Sequence, residues 1–486
     1  MRYRSIEKIF ALIVLLSSGV YIYNVRVMSR RCNAGILRCN FALWLKEKTL
    51  FYERIQRSHA DVMSLDATVA TAAGTTAGTT RAGTTAGTTR AGTTRAGTTA
   101  RAAGTRARAA GMRAGGSLPW DPDLREDEKL AAKEWLLARK KYNISFDKDD
   151  DYFRESNALA DNCSASLRRV VGRKPLLQRV FDFNVPVLLR KGHFSPEEFD
   201  RLSKYRTPYG WKGMNMSDVE DAVDMLSHPE CREMFTHRLQ DGGGGGGGGR
   251  DAEKCVRCAV VGNGGILNGS MMGEEIDSHD YVFRVNGAIT AGFERDVGNR
   301  TSFYFFSTNT MKNSMRAYRK FGFVHPPWSK ETRYVFVPCG HQDYYMVTAA
   351  FRRALVNKGP DKKDKPWKYF GSDDVDRKFK MLHPDFLRYL KNNFLPSTRL
   401  QSKFKDIYRP STGGIALLTA LHTCDQVSAY GFITSTYKHF PDHYYDQKQK
   451  LVFYANHDLN FERILWKMLR KSQVMTLFQG KPPKKF

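Results

Sequence analysis

The sequence predicts an α/β fold, one sheet with covering helices, and three observations carry that expectation. Beyond Gly249, short apolar runs alternate with stretches of helical periodicity. Two of the runs end in glycine-rich or Asn-Gly turns, which suit the strand ends of such a sheet. The chain also holds 486 residues, 41% hydrophobic and 12% aromatic, enough for a large core. Strands are expected at 258–262, 281–285, 302–306, 334–338 and 426–431. Helices are expected at 383–394, with Pro384 near the start, at 413–422 and at 461–469. Upstream, residues 181–189 read as strand-like, and Tyr209-Gly210-Trp211 marks a turn.

The first third of the chain has a different character. Residues 1–8 form a basic tip, and 9–25 are an uncharged apolar run bounded by Arg26. Seventeen residues at a helical rise of about 1.5 Å span roughly 25 Å, near the lower limit for a bilayer. A cleaved signal peptide is the rival, but Ser17-Ser18-Gly19-Val20 is a poor cleavage site, so an uncleaved signal anchor is expected. Residues 26–160 then read as a stem, and within it 67–116 repeat Ala-Gly-Thr-Thr with interspersed arginines. A repeat of four or five residues without apolar positions buries nothing, so a stalk is expected, its threonines open to O-glycans. Gly242–Gly249 is a flexible loop ahead of the main domain, 161–486.

Charge follows the same division. The net charge of +27 invites a polyanion-binding reading. Residues 1–120 hold 18 basic and 5 acidic side chains, so about half the excess lies outside the globular part. A membrane-anchored heparin- or nucleic-acid-binding protein is therefore a rival reading, and it would show strongly salt-dependent binding. Eight cysteines include Cys255-Val256-Arg257-Cys258, but no second pair has metal-ligand spacing. Behind an anchor, disulfides are the better reading. Asn143, Asn162, Asn215, Asn268 and Asn299 each open an Asn-x-Ser/Thr sequon, which favours a lumenal chain.

Four constellations could carry chemistry. Residues 258–270 run from a strand into Gly262-Asn263-Gly264-Gly265, where bare backbone and an Asn side chain can approach a phosphate or ribose. A tight connection is the equally weighted alternative. Residues 281–287 end at Asn286-Gly287, either a second binding edge or a hairpin turn. Pro410-Ser411-Thr412-Gly413-Gly414 opens an apolar helix, either as an ordinary N-cap or as an anion site. Two histidine clusters, 439–446 and 457–462, offer side chains suited to proton transfer near neutral pH, although a lone histidine is more often structural.

The order of these motifs resembles the animal sialyltransferases, glycosyltransferase family 29. Residues 258–302 look like the long sialylmotif, and 410–431 resemble the short one. His443-Tyr444-Tyr445-Asp446 matches the third motif, and His457 with Glu462 matches the His-x4-Glu motif. The versions Asn263-Gly264-Gly265-Ile266-Leu267-Asn268-Gly269-Ser270 and Leu421-His422-Thr423-Cys424-Asp425-Gln426 are similar to the alpha-N-acetylgalactosaminide alpha-2,6-sialyltransferase subfamily. The resemblance implies a single Rossmann-like domain of the GT-A variant type, with Cys258 bridged to Cys424 and Cys163 to Cys255. It implies that Asn263 and Asn286 contact the CMP part of CMP-sialic acid and that Ser411, Thr412 and Gly413 line the donor site. His443 would meet the phosphate, His457 would be the general base, and Glu462 would support it. No cofactor and no metal are expected, and acidic runs such as Asp373-Asp374 read as solvated loops.

The implied reaction is transfer of sialic acid to O6 of GalNAc on Ser or Thr, a single displacement with inversion. The implied partners are mucin-type glycoproteins and a membrane, with no nucleic acid. The implied location is the Golgi membrane, single-pass type II, with a lumenal catalytic domain. A galactose acceptor is the alternative within the enzyme class.

Overall fold

The computed structural model describes residues 126–140, 151–155, 163–235 and 255–480. The expected tip, anchor, repeats and Gly242–Gly249 loop, with Asn143 and Asn162, lie outside the described residues. Among the described residues, no helix is long and apolar enough to cross a membrane.

Among the described residues, seven strands form one sheet in the order β5-β4-β3-β2-β1-β6-β9, and all its pairings are parallel. They are β1 (Arg257–Val261), β2 (Tyr281–Val285), β3 (Phe303–Phe306), β4 (Arg333–Phe336), β5 (Phe379–Met381), β6 (Gln426–Tyr430) and β9 (Thr476–Leu477). The chain steps outward from β1 to β5, then returns to lay β6 on the other side of β1. That reversal is a topological switch point, where side-by-side strand ends diverge and leave a crevice at the carboxyl edge. A small antiparallel hairpin, β7 (Pro441–His443) with β8 (Asp446–Lys450), stands apart from the sheet.

A parallel sheet must be covered on both faces, and alternate residues divide accordingly. Cys258, Val260, Phe283 and Phe305 join one apolar cluster; Ala259, Val261, Val282 and Phe306 join the other. Among the described residues, the helices of ten residues or more are α1 (Glu126–Lys140), α2 (Met216–Met225), α3 (Thr308–Ala317), α4 (His341–Phe351), α5 (Thr412–Thr423) and α6 (Leu459–Lys471). Helix α5 is buried from Gly414 to His422 and packs against β1, β2, β3 and β6. Helix α6 is amphipathic, and Phe461, Leu465 and Leu469 repeat every four residues along its buried stripe.

Two segments depart from the expectations. Residues 181–189 are not a strand: Asn184 N–H is held by Asp182 Oδ1 at 3.0 Å in a turn, and Pro186 has no N–H to donate. Only Leu188 bridges to Leu382 at the sheet edge. Helix α1, inside the segment taken as stem, packs on α6 and buries Ala131, Ala132 and Trp135.

Disulfides join Cys163 to Cys255 and Cys258 to Cys424, both in the expected pairing. The second ties β1 to the C-terminal end of α5, across a sequence separation of 166 residues. Opening so long a loop in the unfolded chain costs stability on the order of 2–5 kcal/mol. Cys258→Ser should therefore shift the urea midpoint sharply downward. An unchanged midpoint would show that packing alone holds β1 against α5.

Candidate functional site

The switch point is built from bare backbone. Gly262 N–H donates to Tyr430 O at 2.8 Å, and Gly264 N–H to Gly431 O at 3.1 Å, so β1 and β6 stay in contact beyond their ends. The hairpin closes over them: Gly264 bridges to His443, and Tyr444 N–H donates to Asn263 O at 3.1 Å. Tyr444 then reaches the turn after β2, its hydroxyl donating to Ile289 O at 2.5 Å and accepting from Ile289 N–H at 3.0 Å. A cavity of about 220 Å³ remains between these pieces. Its wall includes Asn263, Asn286, Ser411, Gly413, His443 and Glu462, contributed by segments far apart in sequence.

Each of these side chains has a definite setting. Asn263 donates its amide to Val285 O at 3.3 Å, which leaves Oδ1 buried with no partner in the described structure. Asn286 sits at φ +43°, in the left-handed region that Asn tolerates, and its Oδ1 is likewise buried and unpaired. Two buried carbonyl oxygens without donors are costly unless a ligand supplies N–H or O–H groups. Ser411 caps α5: its hydroxyl accepts from Gly414 N–H at 2.9 Å and donates to Glu462 Oε2 at 2.7 Å. Ser411 N–H also donates to Glu462 Oε1 at 2.8 Å. Glu462 thus holds the turn from beneath, and its burial pushes the carboxyl up to about 7, against those two hydrogen bonds.

His457 is placed differently. It is absent from the cavity wall, as is Thr412, and it is fixed through the irregular segment that precedes Ser411. Arg409 N–H donates to Asn456 O at 3.0 Å, and His457 Nδ1 lies 2.9 Å from Arg409 O. Donation from Nδ1 to that carbonyl leaves Nε2 as the basic nitrogen, 3.1 Å from the Asn456 amide. Burial holds the imidazole down at about 4, and the Arg409 and Arg399 cations push the same way. His443 faces the cavity, stacked on Tyr445 with ring centroids 5.0 Å apart, and lies 3.5 Å from Asp442. Its burial lowers its pKa, and Asp442 and Asp446 oppose the shift.

Residues 188–474 match the family described as glycosyltransferase family 29 (sialyltransferase). The chain belongs to that family. Over 318 residues the sialyltransferase is 48% identical to the mouse protein named alpha-N-acetylgalactosaminide alpha-2,6-sialyltransferase 2, covering 65% of this chain and 83% of that one. It is 40% identical over 362 residues to the mouse protein named alpha-N-acetylgalactosaminide alpha-2,6-sialyltransferase 1, covering 74% and 66%. A solved chain titled as a mammalian sialyltransferase in complex with Gal-beta-1-3GalNAc-ortho-nitrophenol aligns over 66% of this chain and 99% of that one, at 23% identity and TM-score 0.46.

Sequence reading of this sialyltransferase missed part of the wall. Phe432, Ile433 and Thr434, which follow β6, and Tyr437 beyond them line the cavity, as does Asp442. Their only signal was position: they follow a strand end at a glycine or lie within the first histidine cluster. Among the sequon asparagines, Asn215, Asn268 and Asn299 are exposed. No group of three or more His, Cys, Asp or Glu side chains among the described residues is arranged to hold a metal ion.

Proposed function

We propose that this chain transfers sialic acid from CMP-sialic acid to O6 of GalNAc linked to Ser or Thr of glycoproteins. The observation that carries the reading is the meeting of Asn263, Asn286, Ser411, Gly413 and His443 around one cavity at the switch point. The unpaired Oδ1 atoms of Asn263 and Asn286 suit the hydroxyl and amino donors of a cytidine. The His443 ring N–H and the N-terminus of α5 suit the negative charge that grows on the phosphate as the sugar leaves. His457, neutral and with Nε2 as its acceptor nitrogen, takes the proton of O6 in place of the Asn456 amide hydrogen bond as that oxygen attacks C2 of the sialic acid. The C2–O bond to phosphate breaks, CMP departs with its electron pair, and the anomeric centre inverts. Thr412, next to Ser411 on the first turn of α5, completes the donor loop. The acceptor class is supported by the names of relatives 48% and 40% identical to this chain. The same reading puts the enzyme in the Golgi membrane as a single-pass type II protein, its catalytic domain lumenal and its acceptors mucin-type glycoproteins.

The test is transfer from CMP-sialic acid to a GalNAc-peptide and to its galactosylated form, with linkage analysis of the products. The expected product carries sialic acid on O6 of GalNAc. Product found only on galactose would replace this acceptor with the alternative one.

A further inference from the structure

Outside the donor cavity, the sheet-like hairpin continues as an open surface. The layers run outward from the Asn263-Gly264 end of β1, through β7, to β8, and among the described residues no strand pairs with the outer edge of β8. Gln447, Lys448, Gln449 and Lys450 are all exposed there. Beyond Leu451, which lines the cavity, Val452, Phe453 and Tyr454 are also exposed, Tyr454 at 57%. Phe453 packs edge-on against Tyr437 of the cavity wall at 5.6 Å. Tyr454 O accepts from His457 N–H at 3.2 Å, so this aromatic strip ends at the candidate base. Lys438, Lys448 and Lys450 are exposed beside it, and none forms an ion pair among the described residues. An open strand edge, an exposed aromatic strip and unpaired cations thus lie in line with the reacting position.

We infer that the polypeptide of the acceptor docks along the outer edge of β8 and the Val452–Tyr454 strip. The inference rests on the GalNAc acceptor proposed above. A single sugar between the attacking O6 and the Ser or Thr side chain brings the acceptor's main chain within about one pyranose length of His457. That main chain must cross whatever surface borders the base. An extended peptide can pair its backbone with an open strand edge, with alternate side chains pointing to the flanking surface. Phe453 and Tyr454 offer apolar contact area to those side chains, and the three lysines favour carboxylates in the flank over cations.

The experiment compares kcat/KM on a GalNAc-peptide with that on methyl GalNAc, for the full chain and for Phe453→Ala, Tyr454→Ala and the Lys448→Glu/Lys450→Glu pair. The aromatic variants should lose about tenfold on the peptide through KM and stay within twofold on the methyl glycoside. The charge-reversed pair should invert the preference between peptides with Glu-rich and Lys-rich flanks. Equal losses on both acceptors, or none on either, would overturn the inference. A loss in the lysine variants that is equal with neutral and acidic flanks would also overturn it. Wild-type protein that uses neither GalNAc acceptor would instead remove the proposed function, and this surface's role with it.

Discussion

His457→Ala should lower transfer by about 100–10,000-fold, the contribution typical of a positioned base, with CMP affinity nearly unchanged. The separation of the two effects follows from geometry. His457 is tied to Arg409 O and Asn456, not to the cavity wall, so its removal leaves Asn263, Asn286 and Ser411 in place. Kinetics and CMP titration of the same variant check both halves. Turnover above a tenth of wild type would remove His457 from the role of base. The pH profile gives an independent reading. With its pKa near 4, His457 is neutral at pH 6–7 and gains a proton only as pH falls through 4. The acid limb of kcat/KM should accordingly fall near 4, well below the ordinary histidine value of about 6.5. An acid limb near 7 that disappears in Glu462→Gln would belong to the carboxyl beneath Ser411.

Much of this architecture was legible in the sequence, and the residues show why. Strands β2, β3 and β4 are covered on both faces, so Tyr281–Val285 and its neighbours appear as nearly unbroken apolar runs. Strand β5 escaped notice because it has three residues, and its centre is Lys380, whose ammonium is buried against the carbonyls of Glu230 and Glu233. Nothing local announces partners about 150 residues away. The hairpin was hidden for a similar reason: its polar strands pack on the end of β1, and their order comes from Asn263 and Gly264. The π-helical turn Leu390–Phe394 ends the predicted helix at 383–394 in a geometry that periodicity does not distinguish. In the site, Asn263 and Asn286 were visible because each follows an apolar strand. The setting of His457 was not, since the carbonyl of Arg409, 48 residues earlier, decides it.

Gly431→Ala is expected to be severely destabilising, and the reason is the crossing that creates the site. Gly431 has φ +72°, where an L side chain is strained by roughly 1–2 kcal/mol. A Cβ there would also lie 2.4 Å from Gly262 O and 2.8 Å from Leu267 Cδ1, and backbone cannot step aside as a flexible side chain can. The opposing glycine is just as confined, since a Cβ on Gly264 would lie 2.4 Å from Gly431 O. Relief requires parting β1 from β6, which breaks the bonds from Gly262 and Gly264 and moves Asn263 away from Val285. Gly269→Ala separates strain from crowding: Gly269 has φ +71°, but its Cβ would meet nothing within 4 Å. That variant should fold and lose only about 1–2 kcal/mol from strain, whereas Gly431→Ala should lose several-fold more or fail to accumulate as soluble protein. Equal urea midpoints for the two would mean that β1 and β6 are not in contact beyond their ends, and the crevice at the switch point would need another explanation.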